Sequence, residues 1–101
     1  MAVDPASPEY SIGVIGAGTM GRGIAQIAVC GGIDVKLYDG FEGAAQSGYN
    51  FIARMVNRAA EKGIVSGEEA AASIARLKIV DSLEGLAGVS LVIEAVIEDL
   101  D

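Results

Sequence analysis

Three glycines, Gly16, Gly18 and Gly21, punctuate the stretch Ser11-Ile-Gly-Val-Ile-Gly-Ala-Gly-Thr-Met-Gly21. That spacing suits a cradle for phosphate groups. Gly16 permits a tight turn, Gly18 leaves room for backbone to approach a pyrophosphate, and Gly21 lets a following helix pack close against a preceding strand. A helix that starts here turns unpaired N–H groups and the positive end of its dipole toward the anion. Glycine triplets also occur in ordinary turns, so the flanking pattern decides. Ile12–Ile15 reads as a strand, and Met20, Ile24, Ile27 and Ala28 recur at helical spacing. Gly31-Gly32 supply a helix stop, and Asp34-Val-Lys-Leu-Tyr38 reads as a second strand ending in Asp39.

Asp39 stands 18 residues beyond Gly21, close to the ~20 at which a carboxylate takes the adenosine ribose hydroxyls of a dinucleotide. A carboxylate there accepts from a 2′-OH and repels a 2′-phosphate, and Gly40-Phe41-Glu42 bring no arginine to receive one. NAD is therefore expected rather than NADP. A second reading of Asp39 is that it only caps the helix that follows, a common place for aspartate.

The rest of the 101-residue composition narrows the class. The length allows one small domain. A hydrophobic fraction of 51% with 14 glycines and no tryptophan suits a compact α/β unit with close helix-to-sheet contacts. The net charge of −7 argues against nucleic acid, which needs clustered Lys and Arg. With no histidine, neither a histidine base nor a histidine metal ligand exists in the sequence, and no metal is expected. The single cysteine, Cys30, is expected as a small core residue near the end of the first helix rather than a nucleophile. The longest apolar runs fall short of a membrane span and no charged-then-apolar leader precedes them, so a soluble, cytoplasmic protein is expected.

The elements that position these residues follow in order. Residues 1–10, with Pro5 and Pro8, read as a flexible lead-in to a nucleotide-binding domain over 11–101. After the second strand comes a helix from Phe41 to about Lys62, with Ala44, Gly48, Phe51, Ile52, Met55, Val56 and Ala59 on its inner side and Gly63 at C′. Ser66 and Glu69 form a capping box for a second helix through about Leu77, packed by Ala70, Ile74 and Leu77. The two make a helical hairpin between strands two and three. Lys78–Val80 reads as the third strand, Ser82 caps a small helix through Ala87, and Ser90–Ile97 forms the fourth. The apolar first and fourth strands fit a parallel sheet covered on both faces. Right-handed crossovers give an α/β, Rossmann-type sheet of order 3-2-1-4. Its apolar edge strand four invites pairing with another copy, hence a homo-oligomer. The sequence closes directly after that strand with no evident second-substrate site, which reads as a truncated piece of a longer protein.

Gly13-Val-Ile-Gly-Ala-Gly-Thr-Met-Gly-Arg-Gly-Ile-Ala-Gln26, Asp39, Glu61-Lys-Gly63 and Leu91-Val-Ile-Glu-Ala-Val-Ile-Glu98 together resemble the amino-terminal part of the 3-hydroxyacyl-CoA dehydrogenases. The likeness covers about Ser11 to Asp101. It implies an NAD-dependent oxidoreductase of fatty-acid β-oxidation that interconverts (S)-3-hydroxyacyl-CoA and 3-ketoacyl-CoA. It implies that Gly16, Ala17, Gly18, Thr19, Met20 and Gly21 hold the pyrophosphate, Asp39 the ribose, and Ala95 and Glu98 the nicotinamide side. Lys62 matches a lysine that contacts CoA in the family, although a solvated lysine near a helix C-terminus reads equally well. Arg54, Arg58 and Lys62 recur at four-residue spacing, either as a basic stripe toward CoA phosphates or as a solvated helix face. The family's catalytic histidine, its partner glutamate and the dimerisation domain belong downstream, so no catalytic residue is assigned within 1–101. A stand-alone NAD-binding or sensing module without turnover is the alternative reading.

Overall fold

The computed structural model describes residues 10–95, and the architecture is a four-stranded parallel sheet of order β3-β2-β1-β4. β1 (Ser11–Ile15) lies between β2 (Asp34–Tyr38) and β4 (Leu91–Glu94), and β3 (Leu77–Ile79) pairs with the far side of β2. Helix α1 (Thr19–Cys30) joins β1 to β2, and the hairpin α2 (Ala44–Glu61) and α3 (Gly67–Ala75) joins β2 to β3. This is the expected Rossmann-type order with its inserted helical hairpin.

The strand register puts Ile12, Val14, Val35, Leu37 and Leu77 on one face. All five are buried, together with Ala25, Ala28 and Val29 of α1, Ile52 and Val56 of α2, and Ala70 of α3. Fully burying a side chain such as Leu37 contributes about 1.5–3 kcal/mol, so this face carries most of the stability. The expectation that both faces are covered is corrected. Among the described residues the opposite face receives the 3₁₀ turn Leu83–Leu86 and Val89, with Leu86 and Val89 lying against Gly13. Val92 of β4, paired with Gly13 on that face, remains 49% exposed, and Leu91, paired with Ile12 at the rim of the packed face, 48%.

Local signals set most boundaries. Helices α1 and α2 stop in the same way. The Gly32 and Ile33 amides donate back to the carbonyls of Val29 and Ala28, and the Gly63 and Ile64 amides to those of Ala60 and Ala59. That pattern needs a left-handed residue at C′, and Gly32 and Gly63 take it with φ of 92° and 75°. Ser66 Oγ accepts from the Glu69 amide at 3.0 Å, while the Ser66 amide donates to Glu69 Oε1 at 3.4 Å, closing the capping box. Ser82 Oγ likewise accepts from the Gly85 amide at the 3₁₀ turn, which is shorter than the helix expected through Ala87.

Five further readings change. The first helix is amphipathic, but its inner stripe is Gly21, Ala25, Ala28 and Val29, whereas Ile27 is 77% exposed and Met20 54% exposed. Gly21 draws the helix so close to the β1 turn that small residues occupy the contact. Cys30 is exposed rather than core, because the same rotation turns it outward. Helix α2 begins at Ala44 and not at Phe41, since Gly43 with φ 79° interrupts the backbone first. The chain leaves α3 at Ala75, so Leu77 packs into the core from β3 and Ser73 takes the inward helical place. Strand β4 runs Leu91–Glu94, and positions 96–97 of the longer expected strand lie outside the described residues, as does the lead-in up to residue 9.

Candidate functional site

The turn after β1 is gripped from both neighbouring strands. The Gly16 amide donates to the Tyr38 carbonyl of β2 at 2.8 Å, and the Ala95 amide just past β4 donates to the Ile15 carbonyl at 2.8 Å. Gly16 turns the chain with φ 105°. A Cβ on Gly21 would collide with the Gly16 carbonyl oxygen, so helix and turn touch through bare backbone. At Gly18 nothing lies within 4 Å of where a Cβ would stand. The two glycines thus do different work: one closes a packing contact, the other leaves open space at the mouth of α1.

Gly18 is the N-cap of α1, no side chain caps the helix, and its first turn holds no acidic residue. The amides of this turn therefore remain free donors at the positive end of a 12-residue helix. Thr19 and Met20, the first two helical residues, are exposed beside them. An anionic diphosphate fits this donor set without any lysine or arginine.

Asp39 comes in from the end of β2. Its Oδ2 accepts from the Ala17 amide at 2.7 Å, and its Oδ1 accepts from the Phe41 amide at 2.9 Å. The capping-only reading is corrected, because α2 starts at Ala44 with Gly43 as its N-cap. Asp39 instead bridges the β2 turn to the glycine loop. An ionised carboxylate has room for about four hydrogens, so acceptor capacity remains for a ligand hydroxyl. Ile15, Gly16, Gly18, Asp39, Gly40, Phe41 and Ala95 line one cleft of about 280 Å³. Gly16, Gly18, Asp39 and Ala95 of the expected set thus share a single opening. Glu98 lies outside the described residues.

Phe41 is a site residue that the sequence motif does not mark. It is 82% exposed and lines both this cleft and a neighbouring one bounded by Tyr38, Ile79 and Val80. A bare phenylalanine directly after an Asp-Gly pair at a strand tip was the available signal. A larger cleft, of about 470 Å³, lies elsewhere, between the C-terminal end of α1 and the hairpin, with Cys30, Met55, Ser73 and Arg76 in its walls. It lacks both the open helix start and the strand-tip acid, so the smaller cleft is the candidate site.

Lys62 is not part of the cleft. It is the exposed C-cap of α2, a helix whose 18 residues span about 27 Å. Arg54 and Arg58 are exposed on the same helix. Arg22 of α1 stacks over the Phe51 ring at 3.9 Å, with Arg54 at 6.0 Å from the same ring. This pins α2 to α1 and contributes on the order of 0.5–1 kcal/mol. Among the described residues no cluster of acids or cysteine has the arrangement of a metal site, and no helix is long and apolar enough to cross a membrane.

Comparison with known proteins identifies the family. A family model described as 3-hydroxyacyl-CoA dehydrogenase, NAD binding domain, matches residues 11–101. The chain is 36% identical over 88 residues to a 3-hydroxybutyryl-CoA dehydrogenase of Mycobacterium tuberculosis, covering 87% of this chain and 31% of that protein. It is 39% identical over 87 residues to a probable 3-hydroxybutyryl-CoA dehydrogenase of Bacillus subtilis, covering 86% of this chain and 30% of the relative. Among solved structures, an (S)-3-hydroxybutyryl-CoA dehydrogenase of Ralstonia eutropha superposes with a TM-score of 0.82 at 35% identity, over 88% of this chain and 31% of that one. A 3-hydroxybutyryl-CoA dehydrogenase of Escherichia coli gives a TM-score of 0.84 at 36% identity, over 90% and 19%. The chain therefore spans roughly a third or less of the length of these proteins.

Proposed function

The chain belongs to the 3-hydroxyacyl-CoA dehydrogenase family, as its NAD-binding domain, and from that premise we propose that the whole protein oxidises (S)-3-hydroxyacyl-CoA to 3-ketoacyl-CoA. The observation that carries this reading is the shared cleft, where the open Gly18 turn, the free amides of α1 and the Asp39 carboxylate meet. NAD, when bound, supplies the nicotinamide that accepts a hydride from C3 of the substrate.

The described residues contribute binding and orientation. The amides of Gly18, Thr19 and Met20 receive the diphosphate, with Ala17 and the Gly16–Gly21 backbone contact setting the loop behind them. Asp39 accepts from the ribose hydroxyls and repels a 2′-phosphate. Glu42 adds a second negative charge nearby, and the loop from Gly40 to Gly43 offers no cation. Ala95, 5% exposed in the cleft wall beside β1, and Glu98 are assigned to the nicotinamide side. Fixing the nicotinamide in one orientation is the catalytic service of such a domain.

The relatives' names favour a short acyl chain, 3-hydroxybutyryl-CoA above all. Lys62 is assigned to the CoA moiety on its exposure at the far end of α2. We place the parent enzyme in fatty-acid β-oxidation in the cytoplasm, as a homo-oligomer, the half-exposed Leu91 and Val92 edge supporting association.

Calorimetric titration with NAD tests the core of the proposal. Saturable binding is expected, with NADP at least about tenfold weaker, equivalent to the ~1.4 kcal/mol of one misplaced charge. No heat at millimolar NAD from a chain that circular dichroism shows to be folded rejects NAD binding by this cleft. The 101-residue chain alone is expected not to oxidise 3-hydroxybutyryl-CoA. Turnover by it would place the proton-transfer groups within these residues.

A further inference from the structure

We propose that Asp39 is a positioning residue for the phosphate cradle as well as the reader of the ribose: through the Ala17 amide its carboxylate clamps the glycine loop in the shape that receives a diphosphate. The inference rests on the nucleotide reading of the cleft and assigns to one side chain the coupling between its two halves.

The geometry leads there directly. Ala17 follows the Gly16 turn and is 5% exposed, so its N–H has little access to water. Its acceptor is Asp39 Oδ2 at 2.7 Å, a charge-assisted bond across 22 residues of sequence. The amide before it, that of Gly16, donates to the Tyr38 carbonyl at 2.8 Å. Two successive loop amides are thus tied to the tip of β2, one by backbone and one by a side chain. The other carboxylate oxygen accepts from the Phe41 amide at 2.9 Å, which fixes the plane of the group. It cannot swing wholly toward a ligand without releasing one of these donors.

Two consequences follow. The Ala17 amide is withheld from the phosphates, which leaves Gly18 and the first turn of α1 as the donors. Without the carboxylate, a nearly buried N–H is orphaned, at a desolvation cost that the loop relieves only by turning that amide toward water. Because Gly18 is the next residue, the cradle moves with it. A residue that only read the ribose would leave the diphosphate half of the site untouched.

The test compares ADP with 2′,3′-dideoxy-ADP, which carries the diphosphate and lacks the hydroxyls, on the 101-residue chain, wild type and Asp39→Ala, by calorimetry. If Asp39 acted on the ribose alone, the substitution would leave dideoxy-ADP binding unchanged. Loss of a negative charge beside an anion would even tighten it. The clamp predicts the opposite sign: dideoxy-ADP weakens by about tenfold, the worth of one charge-assisted bond. Hydrogen exchange provides the second arm, with Ala17 expected to exchange at least about tenfold faster in the variant. The Glu69 amide, held by Ser66 in the hairpin, is the control and is expected to be unchanged. Dideoxy-ADP affinity equal to or tighter than wild type, or unchanged exchange at Ala17, overturns the clamp. If dideoxy-ADP binds wild type too weakly to measure, the exchange arm decides. Should Asp39→Ala not fold, Asp39→Leu keeps a similar size with no acceptor and is read in the same way. Should that fail too, a hydrogen-bond scalar coupling between Ala17 nitrogen and the Asp39 carboxylate carbon in wild type is decisive, its absence overturning the proposal. Failure of wild type to bind ADP at all removes the nucleotide reading itself, an outcome distinct from ADP binding with a dideoxy-ADP affinity indifferent to Asp39.

Discussion

The glycine loop and the helical hairpin are built by opposite means. Hydrogen bonds that shape the loop reach across the fold, Gly16 to Tyr38, Ala17 to Asp39 and Ala95 to Ile15, while the close approach of Gly21 to the Gly16 carbonyl seals it locally. The hairpin is shaped by bonds between near neighbours: Gly63 and Ile64 back to Ala60 and Ala59, and Ser66 with Glu69. The hairpin's boundaries therefore survive changes elsewhere, whereas the loop holds its form only while the strands beside it are in register. A ligand cradle gains from this arrangement, since donors fixed by the whole sheet need little rearrangement on binding.

Gly21→Ala is the severest challenge to this contrast. The new methyl has to displace backbone rather than a flexible side chain, so a loss of about 3 kcal/mol or more is expected, read as a lower urea midpoint or an unfolded chain. A variant as stable as wild type would dissolve the claim that helix and loop meet through bare backbone. Gly18→Ala sharpens it from the other side. Its Cβ meets open space, so the melting temperature should hold while NAD affinity falls about tenfold or more by calorimetry, as the methyl takes up ligand room.

The hairpin should answer in stability and not in affinity. Ser66→Ala removes the cap acceptor and is expected to cost about 1 kcal/mol, lowering the melting temperature by ~4–8 °C for a domain of this size. Gly63→Ala, forced to keep a positive φ, should cost about as much. For both, calorimetry is expected to return wild-type NAD binding, and a shifted affinity would show that hairpin and loop are not independent. Lys62→Ala should have the smallest effect, under about 0.5 kcal/mol from the helix dipole. In the whole enzyme it should raise the KM for acyl-CoA with kcat little changed, and an unmoved KM would return Lys62 to a solvated role.

The same contrast explains which features are legible in the sequence. Helix stops at Gly32 and Gly63, the Ser66 cap and the strand at Asp34–Tyr38 are local events, and each stands where its residues put it. One error is local, at Gly43, which starts α2 at Ala44; others lie where contacts between elements decide. Ile27 and Cys30 fit an inner face by apolar character, but the Gly21 contact rotates α1 so that small residues face the sheet. Leu77 fits the α3 periodicity, yet its pairing with Val35 takes it into β3. Gly16, Gly18 and Asp39 were legible as a set because their spacing is itself the imprint of a βαβ unit. Phe41 carried no such imprint.

By itself the sequence determined the order of elements, the glycine motif and the acid at its proper remove, because turn chemistry, caps and charge act over a few residues and leave a spacing behind. Only the tertiary structure decided that Asp39 takes the Ala17 amide, that small residues of α1 face the sheet, and that among the described residues one sheet face is thinly covered. Each depends on how closely segments far apart in the chain approach one another, a distance that no residue encodes alone.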